Sequence, residues 1–195
     1  MNNEILVNIT PQETRVAILE QGVSQELHIE RESGRGIVGN IYNGRVSQVL
    51  PGMQSAFIDI GLDRAAFLHV ADIWSPNQEG ETTQPIEKLL YEGNSILVQV
   101  IKDAIGTKGA RLSTQISLAG RLLVYLPQES HIGISQRIGD DSERELLREK
   151  LQQILPADEK GGYIIRTMAE TADESDLRAD LDYLHKLWHD IQKKS

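Results

Sequence analysis

The clearest indication of the fold of this chain lies in two neighbouring runs, Ser55-Ala56-Phe57-Ile58-Asp59-Ile60 and Ala65-Ala66-Phe67-Leu68-His69. Both runs are short and rich in apolar, aromatic and β-branched residues, which is typical of β-strands. Three further runs of the same kind lie at residues 37–49, 95–101 and 111–116. Five short strands fit a small closed β-barrel, which we expect to occupy residues 36–116.

Residues 1–35 precede the barrel and contain three more strand-like runs, at 5–9, 15–19 and 26–29. The segments Thr10-Pro11-Gln12-Glu13 and Glu20-Gln21-Gly22 separate these runs and have the chemistry of turns. The pattern therefore predicts a three-stranded β-meander. Because three strands bury little surface by themselves, we expect this meander to pack on something else.

Residues 117–195 change to alternating strands and helices. A buried-type strand is predicted at 121–126 and another in the segment 161–167, and each precedes a stretch with helical spacing of apolar residues. The first helix carries Leu146, Leu147, Leu151 and Ile154, and the second carries Leu177, Leu181, Leu184, Trp188 and Ile191. The order is therefore β-α-β-α, and the fold class of the whole chain is α+β.

Two kinds of residue mark the start of each of these helices. Ser142 with Glu145, and Thr171 with Glu174, have the spacing of a capping box. The carboxylates at 140–141 and 173–176 also stand at the helix starts, and we interpret them as caps because the helix dipole favours negative charge there.

The segment between the third and fourth barrel strands, residues 75–85, contains two prolines and no large apolar residue. We expect a mobile surface loop there. Residues 86–91 can form one or two helical turns that Gly93 terminates.

The composition limits the classes of function. The 195 residues are 39% apolar, and 20 basic against 29 acidic side chains give a formal net charge of −9. Such a chain does not bind polyanions through bulk charge, so a nucleic-acid site must be local. The absence of cysteine excludes disulfides and thiolate metal sites. No apolar run approaches the roughly 18 residues of a membrane span, so we expect a cytoplasmic protein without a membrane partner.

The barrel segment resembles an S1-type RNA-binding domain, which is an oligonucleotide-binding fold. The resemblance is carried by residues 40–46, 56–61, 66–73 and 93–103. Such barrels bind single-stranded RNA by stacking bases on aromatic rings beside a few cations. The candidate RNA-binding residues are Phe57, Phe67, Lys108 and His69. The alternatives are that the rings are buried in the barrel core and that His69 packs against the core or rim.

The order of the three segments along the chain is similar to that of the amino-terminal part of the ribonuclease E/G family. The shared motifs lie at residues 6–8, 13–17, 39–42, 52–59, 116–118, 134–138 and 165–167. The segments 35–42 and 106–112 most resemble the ribonuclease G branch of that family. The resemblance covers essentially the whole chain.

The resemblance implies an endoribonuclease that cuts single-stranded, A/U-rich RNA, prefers a 5′-monophosphorylated end, and acts in rRNA maturation and mRNA decay. It also implies the domain organisation. Residues 1–35 would be part of an RNase H-like subdomain without its own activity, 36–116 the S1 barrel that guides RNA, and 117–195 the 5′-end sensor.

By motif, the phosphate-binding pair of the sensor corresponds to Arg166 and Thr167. The resemblance further implies backbone contributions at Gly120 and Val124, and Arg137 is a candidate for the rim of the pocket. A guanidinium and a hydroxyl suit a dianionic monophosphate because together they offer several donors. The alternative for Arg166 is a surface salt bridge to one of three nearby acidic residues, Glu170, Asp173 or Glu174.

In the family, Mg²⁺ held on aspartates hydrolyses RNA, and a Cys-x-x-Cys zinc link forms the dimer. Both lie beyond the length of this chain, so the resemblance implies no catalytic residue, metal or cofactor in these 195 residues. We therefore expect the chain alone to be inactive and the intact protein to be a homo-oligomer. The meander would be completed by later chain, so its open edge is expected to allow self-association.

The residues alone leave two other hypotheses about the function of the chain open. One is a stand-alone S1-type RNA-binding module or translation-associated factor, and the other is a structural interaction domain. An open reading frame that continues past Ser195 into paired aspartates and a Cys-x-x-Cys would favour the nuclease. Unchanged RNA affinity in Phe57→Ala and Lys108→Ala would favour the interaction domain.

Overall fold

The computed structural model describes residues 3–31, 34, 36–75, 84–156 and 159–195. Most of the loop predicted at 75–85, namely residues 76–83, lies outside the described residues. The chain divides into two compact units, Met1–Ile37 and Val38–Ser195. The division between these units, after Ile37, falls two residues after the domain boundary expected at 35/36.

The first unit is the predicted meander. Strands β1 (Asn3–Ile9), β2 (Glu13–Glu20) and β3 (Val23–Arg31) form an antiparallel sheet in the order β1-β2-β3. Gln21 and Gly22 both have positive φ, which lets the chain reverse between β2 and β3. Every residue of β1 and β3 is exposed, so the sheet buries little surface, as its length predicts.

The second unit begins with the predicted five-stranded barrel. Its strands are β4 (Ile41–Leu50), β5 (Ser55–Asp59), β6 (Ala66–His69), β7 (Ser95–Lys102) and β8 (Arg111–Ser113), and the sheet closes in the order β4-β5-β6-β8-β7. The short helix α1 (Ile86–Leu89) lies between β6 and β7, where a short helix was predicted. The barrel interior is filled by small and β-branched or leucine side chains, among them Ala56, Ile58, Ala66, Leu68, Val98, Val100 and Leu112.

A second sheet follows the barrel. It contains β9 (Leu118–Ala119), β10 (Leu123–Leu126), β11 (Ile132–Ile134) and β12 (Gly162–Ile165) in the order β11-β12-β10-β9. Helix α2 (Asp141–Ile154) connects β11 to the parallel strand β12, and helix α3 (Glu174–Lys194) completes the unit. The predicted β-α-β-α order omitted β9 and β11, because runs of two and three residues carry no readable periodicity.

The expected boundary at 116/117 falls inside this second compact unit. The Gln99 side chain of β7 forms two hydrogen bonds across this boundary. Its amide group donates to the Ser117 carbonyl at 2.9 Å, and its oxygen accepts the Ser117 N–H at 2.8 Å. Residues Ile41 and Leu97 of the barrel also pack against the core that the second sheet forms with α2 and α3.

The helix caps correct one sequence expectation and confirm another. The caps are Asp140 and Asp173, not Ser142 and Thr171. The Ser142 hydroxyl and N–H donate to Asp140, which holds the pKa of that carboxyl below its usual value. The cap of α2 lies two residues before Ser142, and the cap of α3 lies two residues after Thr171, so in both helices a carboxylate takes the position that the capping-box spacing assigned to a hydroxyl.

The helices bury the faces that their spacing predicts, with one exception. Leu177, Leu181 and Leu184 of α3 are fully buried, and Trp188 and Ile191 pack at the margin of the core. Leu146 of α2 was expected on the buried face but is 51% exposed, so the apolar stripe of α2 runs through its neighbours at 147, 151 and 154. No helix in the described ranges is both long and apolar enough to span a lipid bilayer.

Candidate functional site

The two phenylalanines lie on the outer face of the barrel. Phe57 of β5 stands directly opposite Phe67 of β6, and their ring centroids are 6.3 Å apart at an interplanar angle of 66°. Both rings are half-buried, whereas Ala56, Ile58 and Leu68 beside them point into the barrel. Because side chains alternate along a strand, neither ring belongs to the barrel core.

Two cationic residues continue this row across the sheet. Phe67 pairs with Arg111 of β8, and Arg111 pairs in turn with Lys102 of β7. A bulge at Ile101 shifts the register of β7 and brings Lys102, rather than its neighbour, opposite Arg111. A second bulge in β4 sets Gln48 opposite Phe57. The row across the outer face of the barrel is therefore Gln48, Phe57, Phe67, Arg111 and Lys102.

The rings and cations line one open groove of about 860 Å³. Met53 and Ile105 also line it, and their side chains are 62% and 74% exposed. Exposed apolar side chains beside aromatic rings favour flat, partly apolar ligands such as nucleobases. Arg64 and Lys102 add positive charge to the same groove.

Lys108 enters the groove from a tight turn between β7 and β8. Ile105 and Lys108 exchange two backbone hydrogen bonds, of 3.1 and 3.0 Å, and Gly106 between them has a positive φ. The Arg64 guanidinium donates to the Gly106 carbonyl and so ties the turn to the loop before β6. Within the described chain the Lys108 ammonium has no ion-pair partner. The turn thus holds a free cation beside the two rings.

His69 lies on the same strand face as Phe67, two residues further along β6. Its Nδ1 accepts the Ala71 N–H at 3.1 Å and caps the single helical turn at Val70–Asp72. His69 does not line the groove. Its contact with RNA remains a prediction.

Arg166 directly follows strand β12 of the second sheet. Its backbone N–H donates to the Leu122 carbonyl at 2.8 Å, and its Nη1 donates to the Gly120 carbonyl. The residue is exposed. Its guanidinium therefore has donors left for a ligand after it binds the protein.

The alternative expected for Arg166, a salt bridge to a nearby acidic residue, is wrong. Asp173 caps α3 by accepting the Asp176 N–H at 2.8 Å, and Glu174 pairs with Arg178 at 3.1 Å. Glu170 makes no ion pair with Arg166. All three carboxylates belong to the described part of the chain, and none of them neutralises Arg166. Arg166 makes no ion pair with any described residue.

Thr167 and Arg137 lie at the same edge of the second sheet as Arg166. Strands β11 and β12 are parallel, and the Ser135 N–H, just beyond β11, donates to the Ile165 carbonyl at 2.8 Å. Carboxyl ends of parallel strands meet at one edge, which brings the Arg137 turn beside Arg166. Arg137 is exposed, Thr167 is half-buried, and neither side chain has a hydrogen-bond partner among the described residues.

The backbone contributions that the resemblance implies at Gly120 and Val124 remain predictions, and the structure gives the present partners of these two residues. The Gly120 N–H already donates to the Leu123 carbonyl at 2.8 Å, so only its carbonyl faces the site, where it accepts from Arg166. Val124 lies inside β10 between Ala119 and Ile164, half-buried. The structure thus assigns the turn at 120–123 to holding Arg166.

A buried polar cluster lies outside both sites and was missed by the sequence analysis. The Tyr163 hydroxyl is 3.0 Å from Glu159 Oε2 and 2.7 Å from His185 Nε2. Burial, and then the nearby Glu159 charge, raise the pKa of Tyr163 and raise that of Tyr125 to about 12. No spacing rule could find this cluster, since its residues come from a loop, a strand and a helix.

Metal-binding residues do not gather in the described ranges: no group of three or more His, Asp or Glu there could hold a metal ion. We therefore assign no step to a metal within these residues.

Sequence comparisons relate the chain to two groups of curated proteins. Residues 117–195 match the model of the Ribonuclease E/G family. The chain is 52% identical over 201 residues to Ribonuclease G of Salmonella typhimurium (strain SL1344) and of Escherichia coli (strain K12), with 100% of the chain and 41% of each relative aligned. Ribonuclease E of Nostoc sp. is 38% identical over 188 residues, which are 96% of the chain and 27% of that relative. The chain spans about two fifths of the length of the ribonuclease G relatives.

Proposed function

The chain belongs to the ribonuclease E/G family, and from this premise we propose that it forms the RNA-binding and 5′-monophosphate-sensing part of a single-strand-specific endoribonuclease. The barrel groove would hold unpaired bases, and the site around Arg166 would receive the terminal phosphate. The processes served by the whole protein would be rRNA maturation and mRNA decay in the cytoplasm.

The observation that carries the proposal is the half-buried, outward-facing pair of rings, Phe57 and Phe67, beside four cationic side chains in one groove. Stacking of a base on an aromatic side chain contributes roughly 1–3 kcal/mol and needs a base that is free of its own partner. The groove therefore favours single strands over duplexes. Its cations, Lys108 above all, would meet phosphates between the stacked bases.

The site at Arg166 supports recognition of a terminal monophosphate. The guanidinium is held by the Gly120 carbonyl and makes no ion pair with a described residue. Two parallel guanidinium donors match the oxygens of a phosphate, and the Thr167 hydroxyl adds a third donor. A hydroxyl end offers no charge to this site, and a triphosphate end is larger and more charged than the site's few donors accommodate.

Hydrolysis itself belongs, in this proposal, to residues that the relatives have beyond the matched region. The family resemblance implies Mg²⁺ held on aspartates and a zinc link between subunits there, so that the intact protein is a homo-oligomer. The residues of the present chain would bind RNA, position its single strand and select its 5′ end.

The proposal is tested by measuring the affinity of the chain for a short A/U-rich single-stranded RNA with a 5′-hydroxyl, by fluorescence anisotropy. Phe57→Leu and Phe67→Leu should each weaken binding by roughly 5–150-fold, the range that follows from loss of one stacked base. Tyr91→Leu is the matched control, because Tyr91 is an exposed aromatic residue that does not line the groove. Unchanged affinity in both phenylalanine variants would overturn the proposal.

A second arm separates the nuclease part from a stand-alone RNA-binding module. The same RNA is prepared with a 5′-hydroxyl, 5′-monophosphate or 5′-triphosphate. A sensing part binds the monophosphate most tightly and loses that preference in Arg166→Ala, whereas a stand-alone module binds all three RNAs through the barrel alone.

A further inference from the structure

The carboxylate of Asp180, in the first half of α3, is directed at the backbone of the turn 120–123. Its Oδ1 accepts the Arg121 N–H at 3.0 Å, and its Oδ2 accepts the N–H groups of Leu122 and Leu123, both at 2.9 Å. Backbone donors in a turn must find partners when they are withdrawn from water. One side chain satisfies three of them here.

This approach depends on the absence of a side chain at Gly120. A Cβ at that position would lie 2.5 Å from Asp180 Oδ2 and 2.7 Å from Oδ1. Contacts that short do not occur, so any other residue would push the carboxylate away from the turn. The glycine at 120 and the aspartate at 180 thus form one structural unit.

The same turn holds Arg166 at two points. Its Leu122 carbonyl accepts the Arg166 backbone N–H at 2.8 Å, and its Gly120 carbonyl accepts from the Arg166 guanidinium. Asp180 itself has no hydrogen bond or ion pair with Arg166 in the described chain. Any influence of Asp180 on the guanidinium therefore passes through the backbone of residues 120–123.

We propose that Asp180 is a positioning residue of the terminal-phosphate site: by fixing the turn 120–123, it holds the Arg166 guanidinium in the orientation that binds a 5′-monophosphate. This inference rests on the proposed function of Arg166 and extends it to a residue on another element. It adds a connection between α3 and the RNA end that the sequence did not indicate.

The physical basis is preorganisation. A guanidinium that is already oriented loses little conformational freedom when it binds a phosphate, whereas a mobile one must be ordered at the cost of affinity. Without the Asp180 carboxylate the turn would lose three hydrogen bonds, and both carbonyls that hold Arg166 would move more freely. Only the part of the affinity that depends on the 5′-phosphate should decrease, because the barrel groove is built from other strands.

The test is the ratio of affinities for 5′-monophosphate and 5′-hydroxyl RNA in the full chain carrying Asp180→Asn. This variant keeps the shape of the side chain but sets an amide donor against a backbone N–H. If the native ratio is about tenfold, as hydrogen bonds to a charged group allow, the variant should lower it to about threefold or less. Affinity for the 5′-hydroxyl RNA should stay within about twofold of native.

Asp182→Asn is the matched control. Asp182 lies two residues away on α3, is exposed, and has no hydrogen bond or ion pair among the described residues. Both substitutions remove one negative charge, and removal of a negative charge near a phosphate by itself strengthens anion binding. A fall in the ratio with Asp180→Asn but not with Asp182→Asn therefore indicates positioning and not a change in net charge.

The outcomes separate this inference from the proposed function. If Arg166→Ala lowers the ratio and Asp180→Asn does not, the inference is overturned while the proposed function stands. If neither does, the proposed function fails as well. A uniform loss of affinity for both RNAs in Asp180→Asn would assign Asp180 to general folding and overturn the inference. Gly120→Ala is the second variant should Asp180→Asn fail to fold, and the same selective loss is expected because a Cβ displaces the carboxylate.

Discussion

The guanidinium of Arg111 is held by the carboxylate of Asp72, whose Oδ2 accepts from Nε at 2.9 Å and lies 2.8 Å from Nη2. Lys108 lines the same groove and has no such partner in the described chain. Two cations of one groove therefore differ in function: the charge of Arg111 is offset within the protein, and the charge of Lys108 is available to a phosphate.

This difference predicts how salt affects RNA binding. Each phosphate neutralised on a single strand contributes about −0.7 to the slope of log affinity against log salt. Lys108→Ala should make the slope shallower by about 0.7 and weaken binding at low salt, without change in the melting temperature. Anisotropy titrations at several salt concentrations measure the slope. Lys88→Ala, in α1 and outside the groove, is the control, and an equal effect of both variants would contradict the prediction.

A close backbone approach at Gly109 predicts a stability effect beside the same groove. A Cβ on Gly109 would lie 2.1 Å from the Ala65 carbonyl oxygen, which belongs to the backbone and cannot turn aside. Gly109→Ala should therefore lower the free energy of unfolding by roughly 1–3 kcal/mol, the usual cost of overpacking. Urea unfolding measures the change.

Gly139→Ala is the comparison for this variant. A Cβ at Gly139 meets no atom within 4 Å. We expect unchanged or slightly higher stability there, because alanine reduces the freedom of the unfolded chain. Equal stability of the two alanine variants would show that the segment at Gly109 can shift at no cost.

The barrel was predictable from the sequence because its signals are local. Alternation along β5 and β6 sets Phe57 and Phe67 apart from Ala56, Ile58 and Leu68, but the sequence left open whether the rings faced the core, and the structure places them outside it. The contributions of Lys102 and Arg111 were not predictable, since a bulge in β7 decides which residue faces the groove. Register shifts of one residue leave no trace in the spacing of apolar residues.

The proposed terminal-phosphate site around Arg166 shows the same limit more strongly. Family resemblance supplied Arg166 and Thr167, but periodicity could not connect them to Asp180, which is 14 residues further along the chain. The contact forms because α3 packs on β9 and β10, the two strands that the turn 120–123 connects, and no single segment encodes this relationship. Likewise, the salt bridge expected for Arg166 from nearby acidic residues did not form because α3 uses Asp173 as its own cap.

The buried polar cluster of Tyr163, Glu159 and His185, with the neighbouring Tyr125, predicts a loss of stability at alkaline pH. Burial raises the pKa of Tyr163 above the ordinary tyrosine value of 10.0, and raises that of Tyr125 to about 12. A raised pKa stabilises the folded state fully below pH 10, and this contribution is lost as the pH rises towards the folded pKa. Between pH 10 and its folded pKa, each tyrosine should lower the free energy of unfolding by up to about 1.4 kcal/mol for each pH unit.

Urea unfolding at pH 7, 9 and 11 tests this dependence. Tyr163→Phe should be less stable than the native protein at pH 7, because Glu159 and His185 lose a hydroxyl partner, and its stability should fall less between pH 9 and pH 11. Tyr183→Phe is the control, because Tyr183 is an exposed residue of α3. A parallel fall in the native protein and Tyr163→Phe would contradict the prediction.

The 195-residue chain should bind A/U-rich RNA without cutting it. This expectation rests on the proposed function, which assigns hydrolysis to residues that the relatives have beyond the region matched by this chain. Incubation of end-labelled RNA with the chain and Mg²⁺, followed by gel electrophoresis, should show intact RNA. Cleavage that is abolished by a substitution within these residues would show that the chain carries its own active site.

The meander predicts self-association of the isolated chain. β1 and β3 are the two edges of its sheet, and β1 exposes the apolar residues Ile5, Val7 and Ile9. Unpaired edge strands with apolar side chains pair readily with another chain, and a lysine on the edge opposes this. Sedimentation should therefore show a mass that rises with concentration for the native chain and a constant monomer mass for Val7→Lys. Gln12→Lys adds the same charge in the turn after β1 and should behave as the native chain does. A native chain that stays monomeric over the whole concentration range would contradict the prediction, and equal loss of association in both lysine variants would assign it to net charge and not to the edge of β1.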